Sequence, residues 1–148
     1  MALVRPIRHE DVTAAIELLR GGSLMPEFED VTRVDDYWAA VEATRRHHGD
    51  VLVAEVDNEV VGVCQVIIFR HFQHAGGWCA ELESVHVRAD QRSHGIGTEL
   101  LHAAEELATA RGCYRIQLTS RNVREDAHRF YRTNGYGQTS QGFKKFFD

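Results

Sequence analysis

Arg92-Ser-His-Gly-Ile-Gly97 is the stretch on which the fold turns. It follows a strand-like run, Trp78 to Val87, and it opens a segment whose periodicity predicts a helix over residues 95–111. Ile96, Leu100, Leu101, Ala104, Leu107 and Ala108 form the apolar stripe of that helix, and Gly112 closes it. A helix start leaves backbone N–H groups unpaired and carries partial positive charge, so it is a natural seat for a phosphate. Glycines allow the backbone to approach the anion, and Arg92, with Arg88 as a second cation, offers charge-assisted hydrogen bonds. A dinucleotide fingerprint would need a third glycine where Leu100 stands and an acidic residue near Gln117. A P-loop would need Gly-Lys-Ser/Thr, which is absent. An isolated Gly-x-Gly is also compatible with a plain polar connection, so its surroundings decide.

Immediately upstream, Ala80-Glu-Leu-Glu-Ser-Val-His-Val87 changes its alternation. Ala80 and Leu82 are apolar at even positions, Val85 and Val87 at odd ones. A regular strand keeps its core face in one parity, so the switch predicts a β-bulge between residues 82 and 85. Glu83 sits at the break, with Glu81 as a competing carboxylate. Downstream, Asp126-Ala-His-Arg-Phe-Tyr131 reads as a short helix to Asn134, ended by Gly135, with Tyr136 beyond it.

Elsewhere, residues 3–8 read as a strand, and Val12, Ile16 and Leu19 predict a helix stopped by Gly21-Gly22. A loop over residues 21–33 leads to a second helix, 34–47, with Val34, Tyr37, Trp38 and Val41 on one face. Residues 51–56 and 60–69 form a predicted hairpin around Asp57-Asn58-Glu59, and 114–119 a short strand. Residues 136–147 read as one or two final strands. This order gives an α+β fold with a mixed sheet in one domain, residues 1–148.

Arg-x-x-Gly-x-Gly between a strand and an amphipathic helix resembles the acetyl-CoA motif of the GNAT acetyltransferase superfamily. Ala127-x-x-Phe130-Tyr131-x-x-x-Gly135-Tyr136 is similar to the family's second signature. Together with Val4-Arg-Pro-Ile-Arg8, the resemblance covers nearly the whole chain. It implies the GNAT fold, a central, mixed but mostly antiparallel sheet flanked by helices, and N-acetyl transfer from acetyl-CoA to a primary amine in a ternary complex. On it, Arg92, Ser93, His94, Gly95, Ile96, Gly97 and Thr98 would hold the pyrophosphate, and the main chain of Val85, His86 and Val87 would meet the pantetheine arm. The amide near Val85 would polarise the thioester carbonyl. Glu83 would serve as general base, and Tyr131 as general acid, since a phenol of pKa about 10 is protonated at neutral pH. Many members place an Asn three residues before the motif's alanine. Here Arg124 stands there and Asn122 is the nearest candidate. The stretch 119–131, with Trp78 and Glu83, is similar to a subgroup that includes aminoalkylphosphonate acetyltransferases, which implies a small-molecule amine as acceptor.

Composition bounds the rest. The chain has 148 residues, 43% of them hydrophobic, and a net charge of -5, which argues against a general nucleic-acid partner. Cys64, Cys79 and Cys113 include no CxxC pair and read as reduced thiols in a cytoplasmic protein. Charges near the N-terminus and the lack of a long apolar run predict no signal peptide and no membrane span. His71 and His74 lack the further ligands of a zinc site, so no metal is expected. The acidic segment 27–36 would lie over the acceptor site on the family resemblance and attract a cationic amine. Phe143 to Phe147 are compatible with a homodimer. The rival reading is a non-catalytic, CoA-binding regulatory domain of the same fold.

Overall fold

The computed structural model describes residues 2–147, in a compact unit ending at Gln117 and a second beginning at Leu118. The first holds a five-stranded sheet, in order β1 (Leu3–Pro6), β2 (Asp50–Val56), β3 (Glu59–Arg70), β4 (Trp78–Val87) and β5 (Cys113–Gln117). The first four strands pair antiparallel with their neighbours, and β5 joins β4 in parallel. The β2–β3 hairpin turns on Asp57 and Asn58, both left-handed at φ 51° and 66°. Such a two-residue loop matches the twist of the strands, and Asp and Asn tolerate it best after glycine.

Helices α1 (Val12–Gly22) and α2 (Val34–Arg46) cover one face of the sheet. Val12, Ile16 and Val41 pack there on Val53 and Val63. Helix α4 (Ile96–Ala110) covers the other face through Leu100, Leu101 and Ala104, all fully buried. Gly62 of β3 lets it come close: a Cβ there would lie 3.0 Å from Leu100 and 3.3 Å from Ile96. Between β3 and β4 runs the one-turn element α3 (Gln73–Gly76), whose His74 and Ala75 are left-handed. No helix among the described residues is long and apolar enough to cross a membrane.

Helix α1 ends at Gly22, on the Gly21-Gly22 pair that the sequence offers as its stop. There the His86 ring lies where a Cβ would be, 2.1 Å from its Nδ1, so the second glycine serves a close approach as well. One expectation changes. The final strands do not form. The second unit contains α5 (Glu125–Thr133), and residues 137–147 have no regular structure. Gly137-Gln-Thr-Ser-Gln-Gly142 offers no large apolar side chain to start a strand face, and Phe143, Phe146 and Phe147 stay exposed.

A partly buried ion-pair network ties β1, β2 and the start of α1. Arg5 donates to both Asp11 carboxylate oxygens, at 2.7 and 3.1 Å, and to Glu55 Oε2 at 2.8 Å. The Arg8 N–H also donates to Asp11 Oδ2 at 2.7 Å. Hydrogen bonding from Arg5 holds the Asp11 carboxyl below its ordinary pKa, against the opposing effect of burial. Removing one partner strands the other, so Asp11→Ala should cost about 2–4 kcal/mol in urea denaturation. Because the folded pKa is depressed, this stability is present above the unfolded carboxylate pKa of about 3.9 and lost as pH falls through the lower folded value. The stability gap between wild type and Asp11→Asn should therefore narrow below about pH 4; a gap that widened there would contradict the assignment.

Candidate active site

The bulge predicted from parity is present in β4. Glu83 pairs with Gln65 and His86 with Val63, so Ser84 and Val85 together oppose the single residue Cys64. Ser84 takes a left-handed φ of 55° to make the extra step. On the other edge, β5 follows β4 only as far as the Glu81–Gln117 pair. From Leu82 to Val87 that edge has no strand neighbour within the first unit, which leaves main-chain groups of Val85, His86 and Val87 out of a ladder on that side. An extended ligand can pair there much as a strand would.

The strand then delivers the chain to the anion-friendly loop. A short turn, Ala89–Gln91, leads to Arg92, to Ser93 at φ 67° and to Gly95 at φ 81°. Gly95 caps α4 in the left-handed conformation with no side-chain hydrogen bond to the helix start. The first-turn amides of Ile96, Gly97 and Thr98 are thus left to an outside acceptor. The two arginines divide sharply. Arg88, read from sequence as a second phosphate contact, is taken by Asp90 at 2.6 Å and Glu59 at 2.8 Å. Arg92 is exposed, donates from Nε to the Val87 carbonyl at 3.1 Å, and makes no ion pair among the described residues. His94 is exposed beside it.

Cross-strand partners share a sheet face, so Glu81, Glu83 and His86 lie on the α1–α2 side with Ile67, Gln65 and Val63. Glu83 is exposed at the bulge. Glu81 is half-buried, with one carboxylate oxygen buried and unpartnered. Burial raises its pKa, Gln117 opposes this by hydrogen bonding, and the charge of Glu83 raises it further. Behind the bulge a cavity of about 250 Å³ reaches Ser84 and Gln65. Burial pushes the Cys64 thiol up to about 12, so the cysteine facing the bulge is no thiolate nucleophile at neutral pH.

Tyr131 and Asn122 belong to the second unit. Tyr131 lies on α5, its ring edge-on to Phe130 at 5.2 Å and to Tyr136 at 5.9 Å, and its carbonyl accepts from the Tyr136 N–H at 3.0 Å. Asn122 is exposed before the helix, and Asn134 Nδ2 donates to the Phe130 carbonyl. Among the described residues no group of three or more His, Cys, Asp or Glu is arranged to hold a metal. His71 instead shares a 2.5 Å hydrogen bond with the Tyr114 hydroxyl, and His74 packs against the Tyr114 ring.

A bulged strand with one open edge thus runs into a helix start whose cap, Gly95, offers it no side-chain hydrogen bond. The chain belongs to the acetyltransferase (GNAT) family, whose model matches residues 14–136. It is similar to aminoalkylphosphonate N-acetyltransferase of Salmonella typhimurium, with 37% identity over 89 residues, 60% of this chain. The chain spans 57% of that relative's length. Among solved structures, a transcriptional regulator from Bacillus halodurans C-125 superposes with a TM-score of 0.91 at 28% identity, over 99% of this chain and all of that one. Glucosamine-6-phosphate N-acetyltransferase from Arabidopsis thaliana shares the fold at a TM-score of 0.82 and 20% identity, over 100% of this chain and 99% of that one.

The Glu81 environment gives a testable sign. A carboxyl raised on folding weakens the fold as pH climbs from its unfolded pKa through its higher folded one. Glu81→Gln should therefore equal or exceed wild type in melting temperature at pH 7, and lose that advantage below the ordinary carboxylate range. A variant less stable at pH 7 than at pH 4, relative to wild type, would refute it.

Proposed function

We propose that this chain transfers the acetyl group of acetyl-CoA to a primary amine of a small molecule, by direct attack in a ternary complex. The observation that carries the reading is the Ser84–Val85 bulge beside an open strand edge, leading straight into the Arg92–Thr98 loop. Acetyl-CoA supplies the activated thioester. Arg92, Ser93 and His94 with the amides of Gly95, Ile96, Gly97 and Thr98 hold its pyrophosphate, and the main chain of Val85, His86 and Val87 aligns the pantetheine arm. The Val85 amide would polarise the thioester carbonyl, where charge develops. Glu83 takes a proton from the acceptor ammonium, with Glu81, whose pKa burial raises, as the competing carboxylate. Tyr131 gives a proton to the departing thiolate, and Asn122 contacts the arm. Residues 1–148 act as one domain in the cytoplasm, without metal, nucleic acid or membrane partners, and a homodimer is compatible with the exposed Phe143, Phe146 and Phe147. The similarity to an aminoalkylphosphonate N-acetyltransferase supports a small amine as acceptor.

The assay is thiol release from acetyl-CoA across amines, amino acids, polyamines, aminophosphonates and aminoglycosides. Turnover with at least one class is expected. Tyr131→Phe should leave acetyl-CoA affinity within about twofold and lower kcat by about 10²-fold or more, the usual scale of general acid catalysis; unchanged kcat removes the role. Arg92→Ala should raise the KM for acetyl-CoA about tenfold, one charge-assisted hydrogen bond, with little effect on the acceptor's KM. Equal effects on both would count against the loop assignment. A second reading, a CoA-binding regulatory domain, is favoured by the structural likeness to a protein described as a transcriptional regulator. Tight acetyl-CoA binding with no turnover on any amine would establish it.

A further inference from the structure

The cavity behind the bulge has a chemistry of its own. Its walls are mostly aliphatic, including Ile16, Val41 and Val63, and its polar side chains are Glu29, Tyr37, Gln65 and Ser84. Among the described residues no arginine, lysine or histidine lines it. Gln65 is held in place by donating to Thr44 Oγ1 at 2.9 Å. Tyr37 Oη donates to Glu29 Oε2 at 2.6 Å and accepts from the Asp30 N–H at 3.0 Å. The phenol's one proton is thus committed. Burial, with the Glu29 hydrogen bond, raises the Tyr37 pKa, which keeps that proton in place. Glu29 lines the cavity, and nothing among the described residues donates to its Oε1, so the carboxylate keeps an acceptor oxygen beyond the Tyr37 bond.

An anion placed here would shed its hydration against aliphatic walls, with no cation to replace the lost water and a carboxylate nearby. An apolar body would be welcome, and so would a hydroxyl or ammonium donor reaching Glu29. We infer that the cavity selects a primary amine carrying an apolar body with a hydrogen-bond donor at its far end, and rejects aminoalkylphosphonates. The inference rests on the acetyl-transfer reading and narrows its acceptor. It also parts this chain from the substrate in the name of its Salmonella relative. Within the cavity Glu29 is a specificity-determining residue: it chooses the tail, while the reacting amine lies at the bulge by Ser84.

The test compares kcat/KM for tyramine, phenethylamine and 2-aminoethylphosphonate, together with calorimetric binding of each in the presence of CoA. Tyramine should exceed 2-aminoethylphosphonate by about 100-fold, as expected for a desolvated anion without a partner. It should exceed phenethylamine, which lacks the distal hydroxyl, by about tenfold. Glu29→Gln should shrink the tyramine-to-phenethylamine ratio, and Glu29→Lys should reverse the order of tyramine and 2-aminoethylphosphonate. Both substitutions are at a partly exposed loop position, and a melting curve checks that the variants fold. Comparable or better use of 2-aminoethylphosphonate by the wild type would overturn the inference. Absence of thiol release with every amine would defeat acetyl transfer, and the binding arm then judges the cavity alone: tyramine bound and lost in Glu29→Lys upholds it, and no preference over 2-aminoethylphosphonate overturns it.

Discussion

Two residues of β4 against one of β3 is the constraint on which the site depends. Ser84 and Val85 share the single partner Cys64, and Ser84 accepts a left-handed backbone to do so. Because side chains alternate with a period of two, one extra residue resets the face of everything beyond it. Leu82 faces α4 before the bulge; His86 faces α1 after it, seated against Gly22. The same extra residue accompanies the separation of β4 from β5, whose pairing ends at Glu81. The irregularity thus lies where the β4 edge is left open, next to the two glutamates already on the α1–α2 face, and it turns His86 onto that face before the chain enters the loop ahead of α4.

Charge is arranged to match. At the loop, Asp90 and Glu59 neutralise Arg88, leaving Arg92 as the cation without an acid among the described residues. Behind the bulge, Glu29 is the charged side chain at the cavity wall. The cation therefore lies at the helix start and the carboxylates lie at the bulge and beyond it. That polarity suits a phosphate at one end and an amine at the other, whereas an exposed surface pair such as Arg33–Asp36 contributes little to either.

Much of this was legible in residues 78–111. The parity switch between Leu82 and Val85 located the bulge, and Gly95 marked the helix start that its φ of 81° requires. Asp57-Asn58 foretold the hairpin turn. What stayed hidden depends on residues distant in sequence. Gly22 reads as the helix stop that it is, but its second task, making room for the His86 ring 64 positions on, is invisible from its neighbours. Arg88 looked free because Glu59 belongs to another strand. Tyr37 falls with apolar neighbours on its helix face, whereas its hydroxyl joins Glu29 from the preceding loop to shape the cavity. The C-terminal phenylalanines suggested strands, but the polar run Gly137–Gly142 gives them no face to extend.

The central claim is that the bulged edge of β4 and the start of α4 form one continuous cofactor groove. A titration of ¹⁵N-labelled protein with CoA, followed by amide chemical shifts, tests it most directly. The account predicts that the largest perturbations fall together on two sequence-separated sets, the amides of residues 84–87 and those of 92–98, with a common dissociation constant. Perturbation of one set without the other, or of neither while CoA binds elsewhere, would contradict it.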